Sequence, residues 1–314
     1  MKSLITSIVL SAWSLTATGQ NQPAFAIAYN VAVKDSAGKS NYEVFSMDMD
    51  GHNVRNVSAH KDVAWTYKAY QKDLYFISDR DTCYRCFFLY KTDFKGKNPK
   101  KVSDLQLEDS WMSFRNQGKE AVVSGRKGRT LRYQLFFINT ETGAYRQITS
   151  DTAAMYVDPS FSPDGKQIAL SYRKNRRDRT QNEEIYLMNP DGTQLRQVTT
   201  YPQKGNEENE NGYKAGSPRW HPSGKFISYI SMLDGMHNIY AVTPDGKKQW
   251  KLTTNKVSEG WHDWSPDGQW LAFDATDKDQ SHYEIMLMNW KTKMVKQLTT
   301  GVHKYQQAPV FVVK

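Results

Sequence analysis

The chain has 314 residues, of which 39% are hydrophobic, 13% aromatic and 24% charged. This composition excludes a disordered chain, which would lack the apolar residues of a core, and a polytopic membrane protein, which would need long uncharged spans. The 42 Lys and Arg residues outnumber the 33 Asp and Glu residues, and the resulting net charge of +9 favours anionic partners.

Residues 1–19 have the pattern of a secretory signal peptide. Lys2 precedes an uncharged apolar stretch that ends at Leu15, and small residues follow up to Gly19. The apolar stretch is too short to span a bilayer. We therefore expect cleavage near Gly19 and one mature domain, residues 20–314, in the periplasm or outside the cell, where disulfides persist.

From Phe25 onward, pairs of strand patterns recur along the chain. They begin at Phe25 and Glu43, Thr66 and Cys86, Ser113 and Leu135, Phe161 and Glu184, Trp220 and Asn238, and Trp264 and Glu284. Each unit closes on an apolar residue, and successive closing residues (Val57, Val102, Ile148, Val198, Leu252, Leu298) are 45, 46, 50, 54 and 46 residues apart. This regular spacing indicates one supersecondary unit repeated six times.

Three of these units align without gaps and define the repeat. They read FSPDGKQIAL from Phe161, WHPSGKFISY from Trp220 and WSPDGQWLAF from Trp264. Each is a strand, a tight turn containing Pro and Gly, and a second strand; a third strand and a closing strand that ends in Thr follow. Six units of four antiparallel strands predict an all-β, six-bladed β-propeller.

The two ends of the repeat region complement each other. Phe25 begins in phase with the second strand of the other units, so the first unit lacks an opening strand. The segment QQAPVFVVK from Gln306 matches the opening strand DPSFS from Asp158. We therefore expect the C-terminal strand to complete the first blade and to leave no open edge.

The turn motifs carry a family resemblance. The Ser-Pro-Asp-Gly turns at Ser162 and Ser265, the variant at His221 and the Asn-Pro-Asp-Gly turn at Asn189 resemble the WD40-like (PD40) repeats of the TolB propeller family, over residues 23–314. The resemblance implies an envelope protein that binds or scaffolds other molecules. Oligogalacturonate lyases use a related propeller, so a carbohydrate-active enzyme that acts on an acidic oligosaccharide is the alternative.

The blade starts around the central channel form the first candidate ligand site. The aligned residues are Trp65, Trp111, Asp158, Arg219, Trp261, His262 and Asp263, with His303 and Gln307 before the closing strand. Indole faces with a few polar groups suit a peptide or a sugar chain, and the alternative is that these indoles only pack blade against blade. The His and Asp residues have no local metal-ligand spacing, so we predict no metal and no cofactor.

The loops between second and third strands form the second candidate site. Arg173, Arg176, Arg177 and Arg179 lie in such a loop of the fourth unit, and the third unit has Arg126, Lys127, Arg129 and Arg132 in the corresponding loop. These cations predict attraction of an acidic ligand. The alternative is a solvated loop that the acidic residues Glu207, Glu208 and Glu210 partly neutralise.

Cys83 and Cys86 are the only cysteines and lie three positions apart between two strands. After export they are expected to form a local disulfide, although a free or redox-active pair is also compatible with the spacing. The partners we predict are an envelope protein or an acidic polysaccharide. We expect no nucleic acid partner, at most peripheral contact with a membrane, and a monomer.

Overall fold

The computed structural model describes residues 25–34, 40–202, 215–233, 236–253, 257–276, 279 and 281–314. The predicted signal peptide, its cleavage near Gly19 and the acidic residues Glu207, Glu208 and Glu210 lie outside this part of the chain. Within it, all regular structure is β-strand, in six four-stranded antiparallel sheets. The part described holds no helix with the length and apolar character needed to cross a membrane.

Blade 1 is built from both ends of the described chain. It contains β1 (Phe25–Lys34), β2 (Ser40–Asp48), β3 (Arg55–Asn56) and β24 (Gln306–Val313). Its strand order is β24-β1-β2-β3, and β24 runs antiparallel to β1 with Phe25 opposite Val313. The predicted six-bladed propeller, with its first blade completed by the C-terminal strand, is confirmed.

The other five blades each use consecutive strands. Blade 2 contains β4 (Ala64–Tyr70), β5 (Asp73–Ser78), β6 (Phe88–Asp93) and β7 (Lys100–Lys101). Blade 3 contains β8 (Gln106–Arg115), β9 (Glu120–Lys127), β10 (Leu131–Asn139) and β11 (Tyr145–Gln147). Blade 4 contains β12 (Met155–Phe161), β13 (Ile168–Arg173), β14 (Glu184–Met188) and β15 (Arg196–Gln197). Blade 5 contains β16 (Gly216–Trp220), β17 (Ile227–Leu233), β18 (Met236–Val242) and β19 (Gln249–Lys251). Blade 6 contains β20 (Ser258–Trp264), β21 (Trp270–Thr276), β22 (Tyr283–Asn289) and β23 (Val295–Gln297).

The repeated Ser-Pro-Asp-Gly sequence makes a hydrogen-bonded turn between the first two strands of a blade. In blade 4 the Gly165 N–H donates to the Ser162 carbonyl (2.8 Å), and the Ser162 hydroxyl donates to Asp164 Oδ1 (2.6 Å). Gly165 has φ of +70°, which glycine adopts without a Cβ penalty. These turns and those between third and fourth strands lie on one face of the ring, here called the turn face; the opposite side is the loop face.

The apolar core lies between neighbouring blades. One buried cluster joins Ile77 and Leu89 of blade 2 to Val123 and Phe136 of blade 3. A single four-stranded sheet cannot cover its own faces, so each blade is stabilised by the apolar area it buries against the next. This packing fixes the six inner strands around the central channel.

Candidate functional site

The inner strand of every blade is bulged where it faces the channel. The pairing between inner and second strand shifts register in all six blades. Asp158, Ser217 and Ala308 occupy three of these irregularities with positive φ angles of 54°, 52° and 57°. Because a bulge re-aims side chains, these irregular stretches turn polar and aromatic groups toward the channel.

A cavity of about 260 Å³ lies at the loop-face end of the channel. Its lining residues are Asn30, Trp65, Thr66, Asp109, Ser110, Trp111, Asp158, Ser217, Trp261 and Ala308. Trp65, Ser217 and Ala308 stand near the beginnings of their strands, and these beginnings lie away from the turns. The cavity is therefore the mouth of the channel on the loop face, and we call it the channel mouth.

Three indoles from blades 2, 3 and 6 form the aromatic wall of the channel mouth. The Trp261 ring makes edge-on contacts with Trp65 and Trp111, at centroid distances of 6.2 and 6.4 Å. Tyr42 stacks on the outer side of Trp65 at 4.3 Å. Trp65 and Trp261 are only half-buried, whereas Trp111 is buried. The half-buried rings leave apolar surface open to a ligand.

Polar groups complete the lining of the channel mouth. Asp158 Oδ1 and Oδ2 accept hydrogen bonds from the Ser110 and Ser217 hydroxyls, each at 3.0 Å. Burial raises the pKa of the Asp158 carboxyl, although nearby Arg219 and the two hydroxyls act to lower it. Asn30 Oδ1 accepts the Thr66 N–H at 2.7 Å, and Asn30 Nδ2 has no hydrogen-bond partner among the described residues.

Buried charged residues pack next to the channel mouth. Lys68 of blade 2 donates to Asp263 of blade 6, and Asp263 Oδ2 also accepts the Phe311 N–H at 3.1 Å. The Arg219 guanidinium is buried and lies 4.3 Å from the centre of the Trp111 ring, in cation–π contact. The predicted residue Arg219 thus packs on the lining residue Trp111, but neither Arg219 nor Asp263 itself lines the channel mouth.

The two predicted histidines have different surroundings. His262 is buried, its Nε2 lies 2.8 Å from the Ser228 hydroxyl, and burial and nearby cations hold its pKa well below the ordinary value, so the ring is neutral. His303 contacts Phe45 at the outer part of blade 1, with ring centroids 5.6 Å apart. Gln307 is half-buried beside Ala308. Within the described ranges, no group of three or more His, Cys, Asp or Glu residues is arranged to hold a metal ion.

The predicted arginines divide into two groups. Arg173 ends β13 and is buried, with Nη2 2.6 Å from Glu183 Oε1. Arg173 is therefore held in a buried hydrogen bond to Glu183 and does not belong to the exposed loop. Arg176 and Arg177 instead line a separate cavity with Arg129, and Arg179 is exposed beyond that cavity.

The structure joins Cys83 and Cys86 in a disulfide. The bridged loop places Arg85 at the rim of the channel mouth, where its Nη2 donates to Asp109 Oδ2 at 2.9 Å. Arg85 is held there because its N–H donates to Asp79 Oδ2 at 2.8 Å.

Several residues that line the channel mouth or pack against its lining are not predicted from the sequence. Ser217 precedes a proline just as Asp158 and Ala308 do, so the aligned blade starts contain the signal that places it at the channel. Asn30 and Tyr42 come from second and third strands. No repeat position distinguishes them, and only their packing reveals their role.

The fold defines a closed six-bladed propeller with a cavity of about 260 Å³ at the loop-face end of its channel. The chain matches the PD40 family, described as the TolB beta propeller domain, over residues 69–312, and it belongs to that family. The Tol-Pal system protein TolB of Francisella tularensis subsp. mediasiatica (strain FSC147) is 28% identical over 222 residues, which are 69% of this chain and 47% of that protein. The chain thus spans about half the length of the curated relatives it matches.

Solved structures show the same fold at low sequence identity. TolB from Acinetobacter baumannii superimposes with a TM-score of 0.68 at 16% identity, over 91% of this chain and 66% of that one. An oligogalacturonate lyase from Vibrio parahaemolyticus gives 0.55 at 14% identity, over 89% of this chain and 80% of that one. Identities this low establish a shared fold only.

Proposed function

We propose that this protein is an exported binding propeller of the bacterial cell envelope that holds a segment of a partner protein at the channel mouth. The observation that carries the proposal is the convergence of Trp65, Trp111 and Trp261 on one polar-rimmed cavity. Tryptophan, tyrosine and arginine dominate the binding energy of protein interfaces, and all three residue types meet here. The Tol-Pal system name of the relatives supports an envelope role.

The size of the channel mouth favours part of a larger ligand. Its volume of about 260 Å³ lies below the roughly 300–1,000 Å³ of pockets that enclose a whole drug-sized molecule. An inserted side chain or chain end, with the rest of the partner resting on the loop face, fits this shape.

Site-specific photo-crosslinking in the source bacterium tests the proposal. A benzoylphenylalanine at position 109, on the rim, is compared with one at position 245, on the turn face; the native Asp side chains are 52% and 54% exposed. We expect a discrete protein adduct from position 109 alone. The adduct should disappear in a Trp65→Ala/Trp261→Ala variant that still melts cooperatively.

Two results would contradict a protein ligand. Identical adducts from both positions would show that the loop face has no special role. Saturable quenching of tryptophan fluorescence by trigalacturonate, lost in the Trp65→Ala/Trp261→Ala variant and without any protein adduct, would identify an acidic glycan as the ligand instead.

A further inference from the structure

A second cavity opens on the loop face between blades 3 and 4, with a volume of about 510 Å³. Three separate segments converge on it: the β9–β10 loop, the β11–β12 connection and the β13–β14 loop. The lining residues are Arg129, Thr130, Thr152, Ala153, Asn175, Arg176 and Arg177. None of them lines the channel mouth. We call this cavity the arginine cleft.

Hydrogen bonds from the β13–β14 loop to the β11–β12 connection, and within that loop, fix the walls of the arginine cleft. The Arg176 N–H donates to the Ala153 carbonyl at 2.8 Å, and Arg176 Nε donates to the Thr152 carbonyl at 3.1 Å. The Arg177 N–H donates to Asn175 Oδ1 at 3.1 Å. The loop is therefore docked on the neighbouring connection before any ligand arrives, which reduces the entropy lost on binding.

The guanidinium groups of the arginine cleft have no carboxylate partner among the described residues. Arg129, Arg176 and Arg177 make no ion pair with any acidic residue in the part of the chain that is described. The acidic residue of the loop, Asp178, uses its Oδ1 to accept the Thr180 N–H and hydroxyl, at 3.0 and 2.6 Å. Asp151 likewise accepts the Ala153 N–H at 2.9 Å.

We infer that the arginine cleft binds a phosphate ester. Guanidinium groups bind phosphate oxygens through paired hydrogen bonds, and three of them match a dianion better than a single carboxylate. Threonine and asparagine side chains supply further polar contacts. The lining has no aromatic ring on which a sugar could stack, and its volume leaves room for the body of the molecule that carries the phosphate.

Titration calorimetry on the purified protein tests the inference with two probes. Glycerol 3-phosphate represents a soluble ester, and phosphatidylcholine vesicles containing phosphatidic acid represent a lipid headgroup. The test variant is Arg129→Gln/Arg177→Gln; Arg176 is retained because it holds the loop. The control, Lys97→Gln/Lys100→Gln, removes the same charge from exposed positions near the turn face.

We expect at least tenfold weaker binding in the arginine variant and less than a twofold change in the lysine control. Binding of glycerol 3-phosphate identifies a soluble ester, and binding of vesicles alone identifies a lipid. An Arg129→Lys/Arg177→Lys variant, which keeps the charge but loses paired hydrogen bonding, should bind with intermediate strength.

Three outcomes would overturn the inference: no binding of either probe, equal loss in the arginine and lysine variants, or tighter binding of trigalacturonate than of both phosphate probes. Crosslinking from position 109 should be unchanged in the arginine variant. A result that refutes phosphate binding in the arginine cleft is therefore distinguishable from one that refutes partner binding at the channel mouth.

Discussion

At the residue scale, a buried carboxyl group couples the last strand to blade 6. Asp274 in β21 is fully buried, and its Oδ2 accepts the Ala308 N–H of β24 at 2.8 Å. A Cβ at Gly260 would lie 2.0 Å from Asp274 Oδ1, so only glycine allows this close approach. Burial raises the pKa of Asp274 to about 7, although backbone hydrogen bonds lower it in part.

This raised pKa predicts a pH-dependent stability. The folded protein keeps the Asp274 proton up to pH of about 7, whereas the unfolded chain releases it near its ordinary pKa of 3.8. The free energy of unfolding therefore falls as pH rises across this interval. Asp274→Asn removes this pH dependence. The free energy of unfolding of the variant minus that of the native protein should therefore rise by roughly 3 kcal/mol between pH 4.5 and 7.5.

Urea unfolding of both proteins at several pH values measures this difference. Glu183 and Glu184, whose pKa values burial raises to about 8 and about 7, act equally in both proteins and cancel. A stability difference that does not change with pH would show that Asp274 is ionised in the folded state.

The cysteine pair gives a second prediction at the residue scale. Native protein should show no thiol labelling by iodoacetamide in urea until a reductant is added, as read by mass spectrometry. Cys83→Ser/Cys86→Ser should lower the free energy of unfolding by about 2 kcal/mol or less, because closing so short a loop removes little entropy from the unfolded chain. Full labelling without reductant would show that the thiols are free.

At the scale of elements, a carboxylate and a hydroxyl join the third strand of a blade to its closing strand. In blade 4, Glu184 Oε2 accepts the Thr199 hydroxyl and Oε1 accepts the Tyr201 N–H, both at 2.7 Å. The Thr199 hydroxyl also accepts the Ile185 N–H at 2.9 Å. The same arrangement recurs around Glu43 and Glu284, which explains the hydroxyl residue at the end of these repeats.

Thr199→Val should therefore destabilise the propeller by about 1–3 kcal/mol, because it removes the hydroxyl that bonds both the buried Ile185 N–H and Glu184 Oε2. Thr200→Val is the matched control, since Thr200 is exposed, and should change stability by less than about 0.5 kcal/mol. Chemical denaturation at neutral pH measures both. Similar losses in the two variants would mean that the hydroxyl at position 199 adds nothing specific.

At the scale of the whole molecule, the pairing of β24 with β1 closes the ring. Deleting residues 306–314 should expose the edge of β1 and the apolar side of blade 6, and the protein should aggregate or lose cooperative unfolding. Because Phe25 lies opposite Val313, a short linker from Lys314 to Phe25 should be tolerated.

A circular permutant supplies the control for this deletion. It begins at Val302, which is 81% exposed, and ends at Gly301, so that β24 precedes β1 in the chain. We expect a melting temperature close to that of the native protein. Cooperative melting of the deletion variant at the native temperature would show that β24 is not needed for closure.

The sequence alone determined the architecture, because the information lies in local patterns. Proline, aspartate and glycine set the turns of the clearest repeats through short-range hydrogen bonds, and the number of repeats equals the number of blades. Because the repeat at Phe25 starts with a second strand, the strand that begins at Gln306 could be assigned to blade 1 from the sequence. Alignment of the blade starts also selected Trp65, Trp111 and Trp261, which the structure places at one cavity.

Only the tertiary structure decided which polar residues act together. Arg173 and Arg176 are three positions apart, yet one is buried against Glu183 and the other lines the arginine cleft with Arg129 of the neighbouring blade. Lys68 and Asp263 are 195 positions apart and meet across the channel. The physical reason is that charge pairing and burial depend on which surfaces the closed ring brings together, and the repeat pattern does not encode those distances.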